Sequence, residues 1–275
     1  LAEDGIGIPM VTTLHGTDIT LVGNHPFYKP AVTFSINNSD VVTSVSESLK
    51  ADTLRLFNVK KEIQVVPNFI DINKYDSQAR ECNRNVLASG DEKIITHVSN
   101  FRKVKRIDDV IKIFFKIQQQ LNSKLIMVGQ GPEREMAENL AYELGIEEKV
   151  LFLGQSNEID KILRCSDLFL LPSDRESFGL AALEAMVNEV PVISTNTGGL
   201  PEVNRHGFSG FLSDVGNIEE MAEFALSILQ DENTLNRFKR NAKEQASRFD
   251  LYSVLPLYEE LYQKALDSQV KSASF

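Results

Sequence analysis

Short apolar runs that alternate with helical stretches constrain this chain more than any other feature. The runs are Met10–Leu14, Val41–Val45, Gln64–Val66, Ile94–Val98, Leu125–Val128, Leu151–Leu153, Leu168–Leu171 and Val192–Ser194. Between them, residues 104–121 place Ile107, Val110, Ile111, Phe114, Ile117 and Leu121 on one helical face. Pro132 suits the first turn of another helix, and Gly145 suits its C-terminal cap. Residues 217–229 bring Ile218, Met221, Ala225 and Ile228 to one side, and residues 251–265 do the same with Leu251, Leu255, Tyr258 and Leu261. Strands alternating with helices in this way predict an α/β fold of doubly wound parallel sheets, helices on both faces.

The chain has 275 residues, 42% hydrophobic and 25% charged, enough for one to two globular domains. No apolar run reaches the length of about 18 residues that crosses a bilayer. Residues 1–9 lack the basic start and apolar core of a signal peptide. Cys82 and Cys165 lie far apart without C-x-x-C spacing, so free thiols in a reducing cytoplasm are expected. A net charge of −10 argues against nucleic acid as a partner. Against that acidic background Arg102, Lys103, Lys105 and Arg106 form a basic knot, which is either a solvated helix start or an anion site.

Residues 71–91 are polar and without long periodicity, so a domain break is expected between Asn68 and Glu92. Ser39-Asp40 precedes a strand ending near Ser46, and Ser166-Asp167 precedes one ending near Ser173. Two similar units would produce this echo, and so would chance. The stretch before the break is short for a doubly wound domain, which usually needs about 100 residues. The natural protein is therefore expected to extend further at its N-terminus, and Leu49, Leu54, Leu56 and Phe57 to need cover from that extension.

Ligands of open parallel sheets bind beyond the carboxyl ends of the strands. The loops expected there are 98–102, 128–133, 153–155, 172–179 and 195–199, several of which carry glycine. Gly129-x-Gly131 taken alone reads as a plain tight turn. The strongest element is Glu176-Ser-Phe-Gly-Leu-Ala-Ala-Leu-Glu184, with one carboxylate before a helix and a second inside it. Ser177, Phe178 and Gly179 would present backbone N–H groups at the helix start, where anions and sugar hydroxyls bind well. Either carboxylate by itself reads equally as an acid complementing the helix dipole or as a solvated side chain.

This element, preceded by Leu170-Leu-Pro-Ser173, resembles the E-x7-E signature of retaining family 4 glycosyltransferases. Val128-Gly-Gln-Gly-Pro-Glu133, Phe152-Leu-Gly154 and Gly198-Gly-Leu-Pro-Glu-Val203 resemble that family's other loops, in its order. The resemblance implies a GT-B fold of two Rossmann-like domains: residues 1–75 as the incomplete acceptor-side domain, 90–248 as the domain binding the nucleotide sugar, and 249–275 as a helix returning to the first. It implies that Glu176 with the amides of Ser177, Phe178, Gly179 and Leu180 holds the donor sugar, and that Glu184 holds the nucleotide ribose. Gly129, Gly131 and Gly154 would flank the donor. Arg102 and Lys105 best match the cations that contact the diphosphate, with Lys103 or Arg106 as substitutes. No D-x-D motif is present, so no metal and no further cofactor are expected. His15, at the end of the first strand, would lie near the anomeric carbon, and Gly16 would let the backbone approach it. The likeness of Thr12–Thr20 and Ser99–Arg106 to members that transfer N-acetylglucosamine from UDP-N-acetylglucosamine onto L-malate, opening bacillithiol synthesis, adds Thr13 at the acceptor and Asn100 at the donor sugar. Retention by this family is ascribed to a one-face mechanism in which the departing phosphate helps deprotonate the acceptor.

A family 4 enzyme acting on a lipid-linked or polysaccharide acceptor is one alternative. Another is a nucleotide-sugar epimerase of the same architecture, which would lack the E-x7-E element. A nicotinamide enzyme would rest on Gly129-x-Gly131 alone, and a sugar-binding module would leave His15 and the basic knot without a purpose. His97 and His206 read as structural and His25 as surface. A homo-oligomer stays open.

Overall fold

The computed structural model describes residues 8–20, 22–23, 25–77 and 82–272, the side chains of 76–77 and 268–272 excepted. In chain order the elements are β1 (Val11–Leu14), α1 (Thr17–Thr20), α2 (Lys29–Asn38), β2 (Val41–Ser44), α3 (Glu47–Leu56), β3 (Ile63–Val65), α4 (Ile72–Ser77) and α5 (Arg84–Leu87). Then follow β4 (Lys93–Val98), α6 (Ile107–Gln118), β5 (Ser123–Val128), α7 (Arg134–Glu143), β6 (Val150–Gly154), α8 (Ile159–Arg164), β7 (Leu168–Leu171) and α9 (Leu180–Val187). The chain closes with β8 (Val192–Thr195), α10 (Leu200–Val203), β9 (Gly210–Ser213), α11 (Ile218–Leu229), α12 (Glu232–Ala246) and α13 (Leu251–Ser272). Two compact units result, one of residues 1–69 with 249–275, the other of residues 70–248.

The first unit is a parallel sheet in the order β1-β2-β3. Ser46 caps α3 by accepting the Leu49 N–H at 3.1 Å. Leu49 and Phe57 are buried within this unit, contrary to the expectation that both need outside cover; Leu54 is exposed and Leu56 half-buried. On α13 the buried side chains are Val254, Leu261 and Ala265, and Val254 and Leu261 pack against Val66. Leu255 is left 39% exposed, so the face is rotated from the one expected. Val254, Leu261 and Ala265 follow a spacing of seven and four, which keeps one helical face turned to the sheet.

The second unit is a six-stranded parallel sheet in the order β6-β5-β4-β7-β8-β9. Its central strands are almost wholly buried, as a sheet covered on both faces requires. On one face α6 sends Ile107, Val110, Ile111, Ile113, Phe114 and Ile117 into the core, beside Met221 and Ala225 of α11. The α6 helix begins at residue 107 rather than 104, because Arg106 is left-handed, φ 50° and ψ 55°, and ends a separate 3-10 turn at Lys103–Lys105. Pro132 lies in the turn before α7, whose entry is fixed by the Glu133 N–H donating to the Phe101 carbonyl at 2.9 Å. Gly145 takes the left-handed capping conformation expected of it, φ 67°. The β9 strand is an addition to the expected set.

Cys82 and Cys165 are joined in a disulfide, a correction to the expected free thiols. Their Cα atoms are 5.3 Å apart, within the span of such a bond. Sequence distance concealed this, because α5 is brought across the unit by Arg84. Its guanidinium donates to the Cys165 carbonyl at 2.6 Å and pairs with Asp167 at 2.8 Å. No helix among the described residues is long and apolar enough to cross a membrane.

The two sheets share a clasp. In the first, Asp40 accepts the Met10 N–H at 2.7 Å, Ser39 donates to the carbonyl four residues earlier, and Thr12 meets Ser39 at 2.7 Å. In the second, Asp167 accepts the Ile94 N–H at 3.0 Å, Ser166 donates to the carbonyl four residues earlier, and Thr96 meets Ser166 at 2.5 Å. Each serine has used its proton on the carbonyl, so each threonine is the donor to it. The Ser-Asp echo thus has the same bonds in both units.

Candidate active site

In the second unit the chain runs from β4 outward to β5 and β6, then returns to β7 and runs the other way to β8 and β9. The loops after β4 and β7 therefore part in opposite directions and leave a crevice between them, the place where open α/β sheets bind ligands. The basic knot follows β4 and the Glu176 loop follows β7.

The Glu176 and Lys105 side chains meet over that crevice. Lys105 Nζ donates to Glu176 Oε1 at 2.5 Å, and the two side chains are only 20% and 13% exposed. Ser173, fully buried, donates to the same oxygen at 2.9 Å. Among the described residues no donor is recorded for Glu176 Oε2. Arg106 is committed elsewhere: it bonds Asp109 at 2.5 Å and Asp174 at 3.0 Å. The Asp174 N–H in turn donates to the Val104 carbonyl at 2.8 Å, which sews the two loops together. Arg106 is thus a brace between loops. Arg102 and Lys103 are exposed, and among the described residues neither side chain has a recorded hydrogen bond or ion pair.

The backbone around Glu176 is clamped by a glycine turn. The Gly199 N–H donates to the Glu176 carbonyl at 2.9 Å. A Cβ on Gly198, φ 59°, would lie 1.9 Å from that carbonyl oxygen, so the approach is possible only without a side chain. Phe178 is buried, and Gly179, φ 102°, leads into α9 directly after the Glu176 loop.

Gly129 and Gly131 have a local reason to be glycine. The Ser99–Phe101 segment crosses directly over them, and a Cβ on Gly129 would lie 1.8 Å from the Ser99 carbonyl oxygen. Phe101 is fully buried by this arrangement. Gly154 accepts the Gly129 N–H at 2.8 Å and is left-handed. Asn100 is exposed on the same loop.

His97 is fully buried beneath this loop. Its Nδ1 is 2.8 Å from the Leu170 carbonyl and its Nε2 2.7 Å from the Ser99 hydroxyl. A carbonyl only accepts, so Nδ1 carries the proton and Ser99 donates to Nε2. Burial pushes its pKa down to about 4; the Leu170 carbonyl opposes that shift and the Lys105 charge adds to it. The ring therefore stays neutral at physiological pH and joins β4 to β7 under the crevice. The histidine expected to be structural supports both site loops.

Glu184 is half-buried on α9. Burial raises its pKa, and Asp160 of α8 raises it further. The Tyr75 phenol is pushed up to about 12, by burial first and then by Asp160 and Glu184. Asp160 and Tyr75 were not anticipated from sequence; only their place in the fold brings them to Glu184.

Three expected site residues belong to the first unit. His15 is exposed just after β1, and Gly16, φ 127°, receives three hydrogen bonds on its carbonyl as α1 begins. The Thr13 hydroxyl accepts from Thr43 at 2.8 Å.

Parallel sheets of this order, with a cation and a carboxylate paired at the switch point before a helix start, define a doubly wound α/β protein with a ligand site in that crevice. Residues 79–245 match the family model of group 1 glycosyl transferases and residues 2–74 that of glycosyltransferase family 4. The chain belongs to these glycosyltransferases. It is 43% identical over 270 residues to an N-acetyl-alpha-D-glucosaminyl L-malate synthase of Bacillus anthracis, covering 97% of this chain and 71% of that protein. An uncharacterized glycosyltransferase of Methanocaldococcus jannaschii is 30% identical over 259 residues, 90% of this chain and 66% of that one. The crystal structure of Anabaena HepE in complex with UDP and glucose superposes with a TM-score of 0.80 at 24% identity, over 93% of this chain and 71% of that one. The fold is accordingly GT-B.

Proposed function

We propose that this chain transfers N-acetylglucosamine, with retention, from UDP-N-acetylglucosamine to the hydroxyl of L-malate. The observation that carries the reading is the Lys105–Glu176 pair at the switch point, with Arg102 open beside it. The similarity to the Bacillus anthracis synthase supports the choice of donor and acceptor. Arg102 and Lys105 hold the diphosphate and stabilise the charge that develops as the glycosidic bond breaks. Glu176 and the amides of residues 177–180 orient the donor sugar, with Asn100 alongside. Glu184 accepts from the ribose hydroxyls. His15 and Gly16 serve the anomeric region and Thr13 the acceptor. The departing phosphate takes the acceptor proton, so the chemistry needs neither a carboxylate nucleophile nor a metal. A cytoplasmic location belongs to the same reading.

The test is UDP release from UDP-N-acetylglucosamine by the purified full-length protein, with and without L-malate. Release that depends on L-malate and survives EDTA is the expected result. Release with a glycan or lipid acceptor but not with L-malate refutes the acceptor. Activity lost in EDTA and restored by Mg²⁺ or Mn²⁺ refutes metal independence.

Glu184 gives a separate check. Glu184→Gln is expected to weaken UDP binding by about 1.5–3 kcal/mol, the contribution of a hydrogen bond to a charged group. Calorimetry showing unchanged UDP affinity removes Glu184 from the ribose site.

A further inference from the structure

We infer that Glu176 is a built-in competitor for Lys105, and that this competition makes the site prefer the intact sugar donor to the spent nucleoside diphosphate. The inference rests on the reading of the site as one for a nucleotide sugar. Lys105 and Glu176 neutralise each other at 2.5 Å in a largely water-excluded position. A diphosphate can use Lys105 only by drawing it from Glu176. The neighbouring Arg106 cannot take its place, being held by Asp109 and Asp174.

The consequence differs between the two nucleotides. When a nucleoside diphosphate takes Lys105, Glu176 keeps the Ser173 donor at 2.9 Å and loses its cation. A half-satisfied carboxylate in a protected site is unfavourable. When the sugar is attached, its hydroxyls can donate to Glu176, including Oε2, which has no recorded donor among the described residues. The donor supplies what the diphosphate removes. Product is bound less well than donor, and its release is favoured once the sugar has left.

The experiment is titration of the full-length protein and of its Glu176→Gln variant with uridine, UDP and UDP-N-acetylglucosamine. Removing the competing charge is expected to tighten UDP about tenfold, the gain if Lys105 is free in about a tenth of unliganded molecules. Uridine affinity is expected to stay unchanged, and the preference for sugar donor over UDP to disappear. In a Lys105→Gln background the effect of Glu176→Gln on UDP is expected to shrink, whereas simple repulsion between Glu176 and phosphate would make it grow. UDP affinity that is unchanged or weaker in Glu176→Gln overturns the inference and leaves the function intact. Failure of the unsubstituted protein to bind UDP overturns both. A crystal structure of the unsubstituted protein with UDP gives the same decision without a substitution: Lys105 on phosphate supports the competition, and Lys105 still on Glu176 overturns it.

Discussion

Lys105→Ala is expected to lower kcat by about 10²–10³-fold, the loss that follows removal of one preorganised donor from a developing anion. The ammonium sits on a 3-10 turn whose geometry is fixed on both sides: the Lys105 N–H donates to the Arg102 carbonyl at 2.8 Å and the Val104 carbonyl accepts from Asp174. The backbone that carries the ammonium is therefore fixed before the reaction, and only the side chain has to turn from Glu176 to the diphosphate. In the proposed role its contribution falls on the diphosphate as the glycosidic bond breaks, so uridine binding should be nearly unaffected. Arg102→Ala should act in the same direction. Lys105→Arg is not expected to restore the rate, because a planar guanidinium cannot take the position of a compact ammonium beside Glu176 Oε1, which also accepts from Ser173. Steady-state kinetics with uridine titration decides the matter. A kcat within about threefold of the unsubstituted enzyme places Lys105 outside the transition-state contacts.

Gly129→Ala has the largest expected effect on stability. The residue has φ 130°, and an added Cβ would lie 1.8 Å from the backbone oxygen of Ser99 and 3.3 Å from the Phe101 ring. A side chain could swing aside, but here the Ser99–Phe101 backbone would have to lift. That movement would pull the fully buried Phe101 from its pocket and disturb the Ser99–His97 bond. The combined strain is expected to cost about 4 kcal/mol or more, at the upper end for single substitutions. In a unit of this size that lowers Tm by about 8–16 °C. Gly90→Ala is the control: Gly90 is also left-handed, φ 57°, but nothing lies within 4 Å of its Cβ position. It should cost only about 1–2 kcal/mol, from backbone conformation alone. Equal melting temperatures for the two variants would show that the crossing over Gly129 can relax.

The eight expected strands are all present with ends shifted by a residue or two, because apolar runs of parallel strands are legible without knowing their neighbours. The β9 strand was missed for a physical reason. It is four residues long, opens on Gly210 and alternates little, and it is a strand because Val192–Thr195 offers it an edge. The E-x7-E element was legible because both carboxylates lie on one short segment. The pairing of Lys105 with Glu176 was not, since it depends on strand order and joins residues 71 apart. The same holds for Cys82 with Cys165 and for Asp160 with Glu184. Arg106 was one of four similar cations in sequence; a left-handed backbone and two aspartates give it a different task.

The clasp common to both sheets bears on ancestry. Matching bonds from a Ser-Asp pair to the start of the neighbouring strand, made at corresponding positions in each unit, are what descent from one duplicated module leaves behind. The correspondence continues seven residues further on. In the first unit Ser46 caps a helix by accepting the Leu49 N–H three residues ahead. In the second the equivalent Ser173 donates to the Glu176 carboxylate, also three residues ahead. A hydroxyl that fastens a helix in one copy holds a largely buried carboxylate in the other. On this account the second unit lengthened the loop after an inherited strand, which released a capping serine to hold Glu176 while the clasp behind it went on holding the sheet.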